Sequence, residues 1–590
     1  MSPTIRTLAE RREERQDSGP ATRDYARSSP LGAVGQLRDN PYAGAIAAGL
    51  TYLGLTACIF LPLTARLSTA VIGDKTDPWQ TLWGFWYWHN ALTEGHSIMW
   101  STLVWWPLGA PLWLQSWDIP STLLAITVWD DGSGPAIYNA LLLATFPLSG
   151  LAVFLLCRLL WTGWLGSFGA GLVYSFSSYH YANATGVLHT SSMEWLPLFV
   201  FALFRSGASR HSSIWAVAAG GSAAMATLAS PYHAGNCALF VIALIAWRLA
   251  CGEPLSENLP AMRNVALATI AFTSLAGWYL YGVAHTYVTW PLEGSHEPDK
   301  FSVDIQSLFL PNPISVWASS ISASSAWTAS HWLGAPRYWA GAGHIGVVAT
   351  LLAVWGMVVE KRARAFLAVS AVALVFALGP YLQYAGRLVA GPLPYAWLAH
   401  VIPALTLGGT PSRFMELTML GVAVGTGAAL SHLVAARPHG RILSVCLMAL
   451  LVAEAWPTQL PMSEYPRPPI FATWRQDTAK WAVLDTTWWG QALYGQTQHG
   501  HPLVSAYLTR TPKARMDAIR HSRELGPLLA RLIPDSDVKQ IENTAGTIAL
   551  LQHMNVRFII AVEETASLFD TLHLEVAYRG YGLVIYKVPT

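Results

Sequence analysis

The chain has 590 residues, of which 53% are hydrophobic and only 12% charged, with a formal net charge of +2. A charged fraction about half that of ordinary soluble domains excludes a string of globular domains, although the length alone allows several. The near-neutral charge balance points to no acidic partner and no nucleic acid.

Residues 1–42 form a polar, Arg- and Glu-rich tail. No apolar stretch follows the first few residues, so a cleavable secretion signal is not expected and the first span is expected to remain as an anchor. A helix needs roughly twenty apolar residues to cross the hydrocarbon core. On that basis about eleven spans are expected, near 43–64, 136–157, 163–183, 190–204, 213–230, 233–250, 264–285, 338–359, 365–383, 412–435 and 441–457. The five cysteines, Cys58, Cys157, Cys237, Cys251 and Cys446, lie in or beside these segments. No CxxC or Cys/His pairing accompanies them, so they read as apolar side chains rather than disulfides or zinc ligands.

Lys and Arg set the direction of the helices. The tail carries Arg6, Arg11, Arg12, Arg15, Arg23, Arg27 and Arg38, and Arg158, Arg205, Arg210, Arg248, Arg263, Lys361, Arg362, Arg364, Arg437 and Arg441 fall on the same side. That side is expected to be the cytoplasm. Three long loops, 65–135, 286–337 and 384–411, then lie outside, where irregular chain tends to carry a working site. The first loop is dense in tryptophan: Trp79, Trp83, Trp86, Trp88, Trp100, Trp105, Trp106, Trp113 and Trp117. Part of it is expected in the membrane interface, either as an anchoring belt or as a stacking surface for sugar or lipid.

Ionisable residues near spans are costly, which makes each a candidate for function. Asp74 and Asp77 follow the first span. Asp77 precedes Pro78 at the start of a Trp-rich helix, so it reads either as a helix cap or as a base at an outer cavity. His180, His189 and Glu194 cluster around the ends of the third and fourth expected spans, as functional polar groups or as satisfied interfacial ones. Tyr232 and His233 fall on the same face, and Asp304 sits in an otherwise apolar loop segment. Arg413 opens the tenth expected span, either gripping a phosphate with its fork or reaching for lipid headgroups. Glu454 in the last expected span calls for a packed partner.

Residues 458–590 return to soluble composition after a Pro-rich run. Trp481–Leu484 and Val556–Val562 read as buried strands, Ala545–Met554 as a helix, and Leu574–Val588 as a hairpin turning near Gly580 and Gly582. The expected architecture is therefore a polytopic α-helical membrane protein, spanning 43–457, with a C-terminal soluble α/β domain over 458–590. No P-loop, GxGxxG, HExxH or GxSxG motif is present.

Several segments, in order, resemble those of bacterial GT-C-like membrane proteins. These are Thr76-Asp-Pro-Trp79 with the Trp-rich helix behind it, Trp106-Pro-Leu-Gly109, and Tyr138-Asn139. His189 with Trp195-Leu-Pro-Leu198, Ser302-Val-Asp-Ile305 with Phe309-Leu-Pro311, and Thr410-Pro-Ser-Arg-Phe414 follow. Tyr494–Gly500 and Ser505–Arg510 extend the similarity into the C-terminal region. The chain departs from the pattern before Pro411, where the family usually has Arg and this sequence reads Gly408-Gly-Thr-Pro.

The resemblance implies a glycosyltransferase that moves a sugar from a polyprenyl-phosphate donor to a glycan, lipid or protein acceptor at the outer membrane face. It implies Asp77 as catalytic or metal-organising residue, Asp74 as its backup, and a divalent cation, Mg or Mn, near Asp77. Arg413 is then the donor-phosphate contact, and His189, Tyr232, His180, Glu194, Asp304 and Trp106 line the substrate cavity. The rival expectations are a carrier or exporter of lipid-linked glycans and a non-catalytic envelope scaffold.

Overall fold

Where water is excluded, a segment must satisfy its own backbone N–H and C=O groups, and the apolar runs of this chain accordingly form helices. The computed structural model describes residues 41–73, 76–130, 132–161, 163–252, 262–294, 296–310, 315–317, 343–402, 404–457, 460–487, 489–530 and 541–589. Asp74, most of the N-terminal tail and much of the 286–337 loop lie outside the described residues.

In chain order the helices are α1 (Pro41–Phe60), α2 (Asp77–Glu94), α3 (Ile119–Thr127), α4 (Gly134–Leu160), α5 (Trp164–Ser175) and α6 (Ser178–Ala184). After them come α7 (Trp195–Ala208), α8 (Ser212–Ala229), α9 (Pro231–Ala250), α10 (Met262–Thr289), α11 (Val347–Val359) and α12 (Ala363–Ala377). The series ends with α13 (Met415–Ala436), α14 (Gly440–Glu454) and α15 (Trp489–His499), with shorter helices between and after these. Six helical segments are long and apolar enough to cross a membrane: Tyr42–Leu63, Gly134–Leu160, Ser212–Ala229, Pro231–Ala250, Met262–Thr289 and Pro411–Ala436. Val347–Val359 and Ala363–Ala377 are shorter apolar helices.

Two expected spans take a different form. The segment 163–183 breaks after Ser175, because Ser177 caps the short α6 by accepting from the His180 N–H at 3.2 Å. The segment 190–204 becomes helical as α7 only from Trp195 and runs for 14 residues. A Ser-rich stretch offers the backbone side-chain partners that compete with a continuous helix.

α13 is the central helix, packed by α5, α11 and α12. Small residues allow this. A Cβ on Gly356 of α11 would stand 1.9 Å from the Gly425 carbonyl of α13, so the two backbones touch where neither carries a side chain. Glu454 finds the partner its position demands: its carboxylate accepts from Val347 N at 2.6 Å and Val348 N at 3.1 Å, capping α11.

The C-terminal segment carries a four-stranded sheet of β1 (Ala482–Asp485), β2 (Val556–Val562), β3 (Glu575–Gly580) and β4 (Leu583–Lys587), in the order β3-β4-β2-β1. β1 and β2 are parallel, with Leu484 opposite Ile559. β3 and β4 form the expected terminal hairpin.

This segment is joined to the first long loop by a hydrogen-bonded seam. Val71 pairs with Ser463, Trp106 N donates to Leu503 O at 3.0 Å, and Leu503 N donates to Leu103 O at 2.9 Å. Side chains reinforce it: Trp83 Nε1 donates to Gln496 Oε1 at 2.7 Å and Gln80 Nε2 to Thr509 Oγ1 at 2.8 Å. Trp79 and Trp83 of α2 face this seam, while Trp88 packs on Trp117 of the same loop. Trp79, Trp83, Trp86 and Trp88 are 1%, 0%, 3% and 2% exposed. The expectation that this part of the loop lies in the interface is corrected for α2, because its indole rings are buried, Trp79 and Trp83 against α15 and Trp88 against Trp117.

Candidate functional site

Asp77 occupies the first turn of α2, with Thr76 at the N-cap and Pro78 behind it. It is thus not the capping residue, and its half-buried carboxylate stands at the positive end of the helix. Two close approaches fix the turn. Gly73 has φ +127°, and a Cβ there would fall 2.7 Å from Gly186 Cα and 2.8 Å from Thr185 O. A Cβ on Gly490, in the first turn of α15, would fall 2.3 Å from Thr76 O. The Asp77 turn is therefore pressed between the 185–186 turn and α15.

The 183–190 segment also holds Arg413. This residue lies in the short 3-10 turn Pro411–Phe414 that leads into α13 and is 7% exposed. Its Nη1 donates to Asn183 Oδ1 and, at 2.8 Å, to Thr190 Oγ1. Its guanidinium carbon lies 5.6 Å from the centre of the Tyr232 ring. The Arg413 carbonyl accepts from Asn236 Nδ2 at 3.1 Å and from the Tyr179 hydroxyl at 3.3 Å.

Beneath it lies a buried ion pair. His233 Nδ1 stands 2.7 Å from Glu416 Oε2, which also accepts from Asn236 Nδ2 at 2.7 Å. His233 Nε2 faces the His189 carbonyl at 3.0 Å. Both ring nitrogens thus face acceptors. Asn236 links the pair to Arg413, so Glu416 and His233 position the arginine through its backbone.

Arg510, from the C-terminal segment, also comes near Tyr232. The Tyr232 hydroxyl donates to Gly408 O at 3.1 Å, and His296 Nδ1 faces the same carbonyl at 3.0 Å. Arg510 is 7% exposed and donates to the carbonyls of Leu407 and Thr509. Among the described residues no carboxylate pairs with it. Burial lowers the pKa of its guanidinium, with Tyr232 and Tyr507 acting in the opposite direction. Burial also holds the His296 ring below its ordinary range; the Gly408 carbonyl opposes this, and the positive charges of Arg510 and Arg413 add to it. Two guanidiniums and a His ring that titrates low therefore surround Tyr232 and the 407–410 backbone. Position 409, two residues before Pro411, cannot carry a long side chain, because a Cβ on Gly409 would fall 2.3 Å from the His296 carbonyl.

The other expected site residues sit elsewhere or act differently. His189 joins the cluster through its backbone carbonyl. His180 is fully buried, with Nδ1 on Ser175 O at 2.7 Å, Nε2 on Thr145 Oγ1 at 2.9 Å and its ring stacked 4.0 Å from Phe146. Asp304 accepts from Gln306 N at 2.7 Å, Gly386 N at 2.8 Å and Ala385 N at 3.2 Å, which fastens one loop to another. Trp106 belongs to the seam, with Nε1 donating to Met554 O at 2.8 Å. Glu194 precedes α7 and keeps Oε2 buried with no hydrogen-bond partner among the described residues.

Residues that the sequence reading did not single out include Arg510, His296, Glu416 and Asp118. Asp118 caps α3 and accepts from Ser192 Oγ at 2.6 Å; burial raises its pKa, and the Ser192 and Ser121 hydrogen bonds partly offset this. Glu416 carried a signal, an acidic residue three positions after Arg413 in an apolar run. Arg510 ends the Ser505–Arg510 segment of the resemblance, but nothing there marked it as a site residue, because one of its partners, the Leu407 carbonyl, lies 103 positions away. Among the described residues no group of three or more His, Cys, Asp or Glu side chains gathers to hold a metal. The described side chains do not build a site for Mg or Mn beside Asp77, so no step below is routed through a cation.

The fold of the described residues is similar to that of a solved membrane glycosyltransferase. Arabinofuranosyltransferase AftD from Mycobacteria superposes with a TM-score of 0.56 at 12% identity, over 92% of this chain and 40% of its own. The chain therefore spans less than half the length of that protein. The archaeal oligosaccharyltransferase AglB from Archaeoglobus fulgidus, in complex with an inhibitory peptide and a dolichol-phosphate, gives 0.47 at 13% identity over 91% and 70% of the two chains. ArnT from Cupriavidus metallidurans, bound to undecaprenyl phosphate, gives 0.42 at 12% identity over 95% and 99%. No family model matches the chain, and no curated protein matches it.

Proposed function

We propose that the chain is a membrane glycosyltransferase that takes a sugar from a polyprenyl-phosphate donor and passes it to a glycan, lipid or protein acceptor at the outer membrane face. About eleven spans run from a cytoplasmic N-terminus in the bacterial inner membrane to an external C-terminal domain over 458–590. The observation that carries the reading is the pair of buried guanidiniums, Arg413 and Arg510, around Tyr232 and His296. Among the described residues Arg510 has only carbonyl oxygens as hydrogen-bond partners, and a buried cation so placed favours an anion whose charge develops nearby.

In the proposed reaction Asp77 takes the proton of the acceptor hydroxyl as that oxygen bonds to the anomeric carbon. The bond from that carbon to the phosphate oxygen breaks, and the leaving phosphate is stabilised by Arg413 and Arg510. Tyr232 holds the 408–410 backbone against both arginines, while Glu416 and His233 hold Arg413. Asp74 stands as the backup carboxylate.

The test is transfer of sugar from a synthetic polyprenyl-phosphate donor by the purified full chain. Arg510→Gln and Arg413→Gln should each lower turnover and weaken donor binding. Full donor binding by the double variant contradicts the phosphate assignment.

A further inference from the structure

At the end of α13 opposite Arg413, the chain turns through Arg437, Pro438 and His439 into α14. Here α11, α13 and α14 enclose an open groove of about 790 Å³, within the roughly 300–1,000 Å³ of small-ligand sites. Its composition is split. Leu433, Leu443 and the half-buried Trp355 form an apolar wall, while Arg437, His432 and His439 stand exposed at the rim. The Trp355 and His432 rings meet edge-on with centres 5.9 Å apart.

The charge at the rim is unanswered. Among the described residues, no carboxylate lies within 4 Å of Arg437 and no acceptor takes its guanidinium. The wall is also where it must be for a lipid. Pro411–Ala436 is one of the membrane-length segments, so its last turn lies where acyl chains give way to headgroups. An indole ring suits that level, since it offers an apolar face and a polar edge. A soluble anion has no use for the Leu and Trp wall, and a lipid without net negative charge gains less from the arginine.

We propose that this groove binds an anionic phospholipid, with the phosphodiester on Arg437, His432 and His439 beside it, and the first acyl carbons along Trp355, Leu433 and Leu443. The guanidinium fork matches two phosphate oxygens. The site is separate from the Arg413 and Arg510 cluster and takes a resident lipid, not the sugar donor. With the cytoplasmic assignment of Arg437, it lies in the inner leaflet.

The test uses the full chain, delipidated in mild detergent and titrated with phosphatidylglycerol or phosphatidylcholine under native mass spectrometry. The chain should retain phosphatidylglycerol preferentially, and Arg437→Gln should lower that retention by about fivefold while lowering phosphatidylcholine less. Trp355→Ala should weaken both lipids, and glycosyl transfer in detergent should be unaltered by Arg437→Gln. Equal retention of the two lipids by the unmodified chain overturns the proposal, as does unchanged phosphatidylglycerol retention by Arg437→Gln. Displacement of the lipid by millimolar inorganic phosphate overturns it too, because the groove is then a plain anion site.

Discussion

His233 and Glu416, 183 positions apart in the chain, meet as a buried ion pair with 2.7 Å between Nδ1 and Oε2. Both side chains are almost wholly buried, at 1% and 0% exposure. Removing one partner strands the other without water, which typically costs about 3–5 kcal/mol. Glu416→Gln should therefore lower the thermal midpoint of the purified protein by several degrees and, through Asn236 and the Arg413 carbonyl, raise the KM for donor. A variant with an unchanged midpoint and KM contradicts the positioning role.

Arg510 tests the contribution of the C-terminal segment. Loss of a single donor to a developing oxyanion costs roughly 10²–10³ in turnover, and Arg510→Gln should fall in or just below that range. Arg510→Lys keeps the charge but not the fork, so it should recover only part of the rate. Equal rates for Arg510→Gln and the unmodified chain remove this residue from the site.

The Asp77 turn depends on absent side chains. Gly73→Ala would place a methyl 2.7 Å from Gly186 Cα at a φ of +127°, a conformation open mainly to glycine. Sugar transfer should fall at least about tenfold, from displacement of the turn by as little as an ångström, while helix content stays constant by circular dichroism. Wild-type transfer by Gly73→Ala contradicts the role given to this contact.

Asp485, at the end of β1, gives a pH signature outside the membrane segments. Burial pushes its carboxyl up to about 6, despite hydrogen bonds from Thr487. A folded-state value above the unfolded one near 3.9 means that the folded chain binds the proton more tightly. This group's contribution to stability is therefore present below about pH 4 and lost as pH rises through about 6. Asp485→Asn should raise the thermal midpoint at pH 7.5 and flatten its change between pH 7.5 and 5.5. A midpoint that responds to pH as in the unmodified chain contradicts this.

The sequence made the helical membrane architecture legible because twenty apolar residues in a row have few other uses. The terminal hairpin and the two buried strands were legible from alternation and from Gly580 and Gly582. What stayed hidden depended on distant partners. The tryptophans of α2 look the same in sequence whether lipid or protein covers them, and the cover of Trp83, Gln496 of α15, lies 413 positions away. Asp304 stands out as a charge in an apolar loop, yet its carboxylate is consumed by three backbone N–H groups. Arg510 sits in an ordinary polar segment, and only folding brings it beside Tyr232 and His296.

The central claim is that Asp77 acts as the base of a glycosyl transfer. The most direct measurement is the envelope glycan profile of cells in which Asp77→Asn replaces the chromosomal copy and the protein accumulates at its normal level. The account predicts loss of a specific sugar linkage, with the unfilled acceptor building up. An unchanged glycan profile contradicts it.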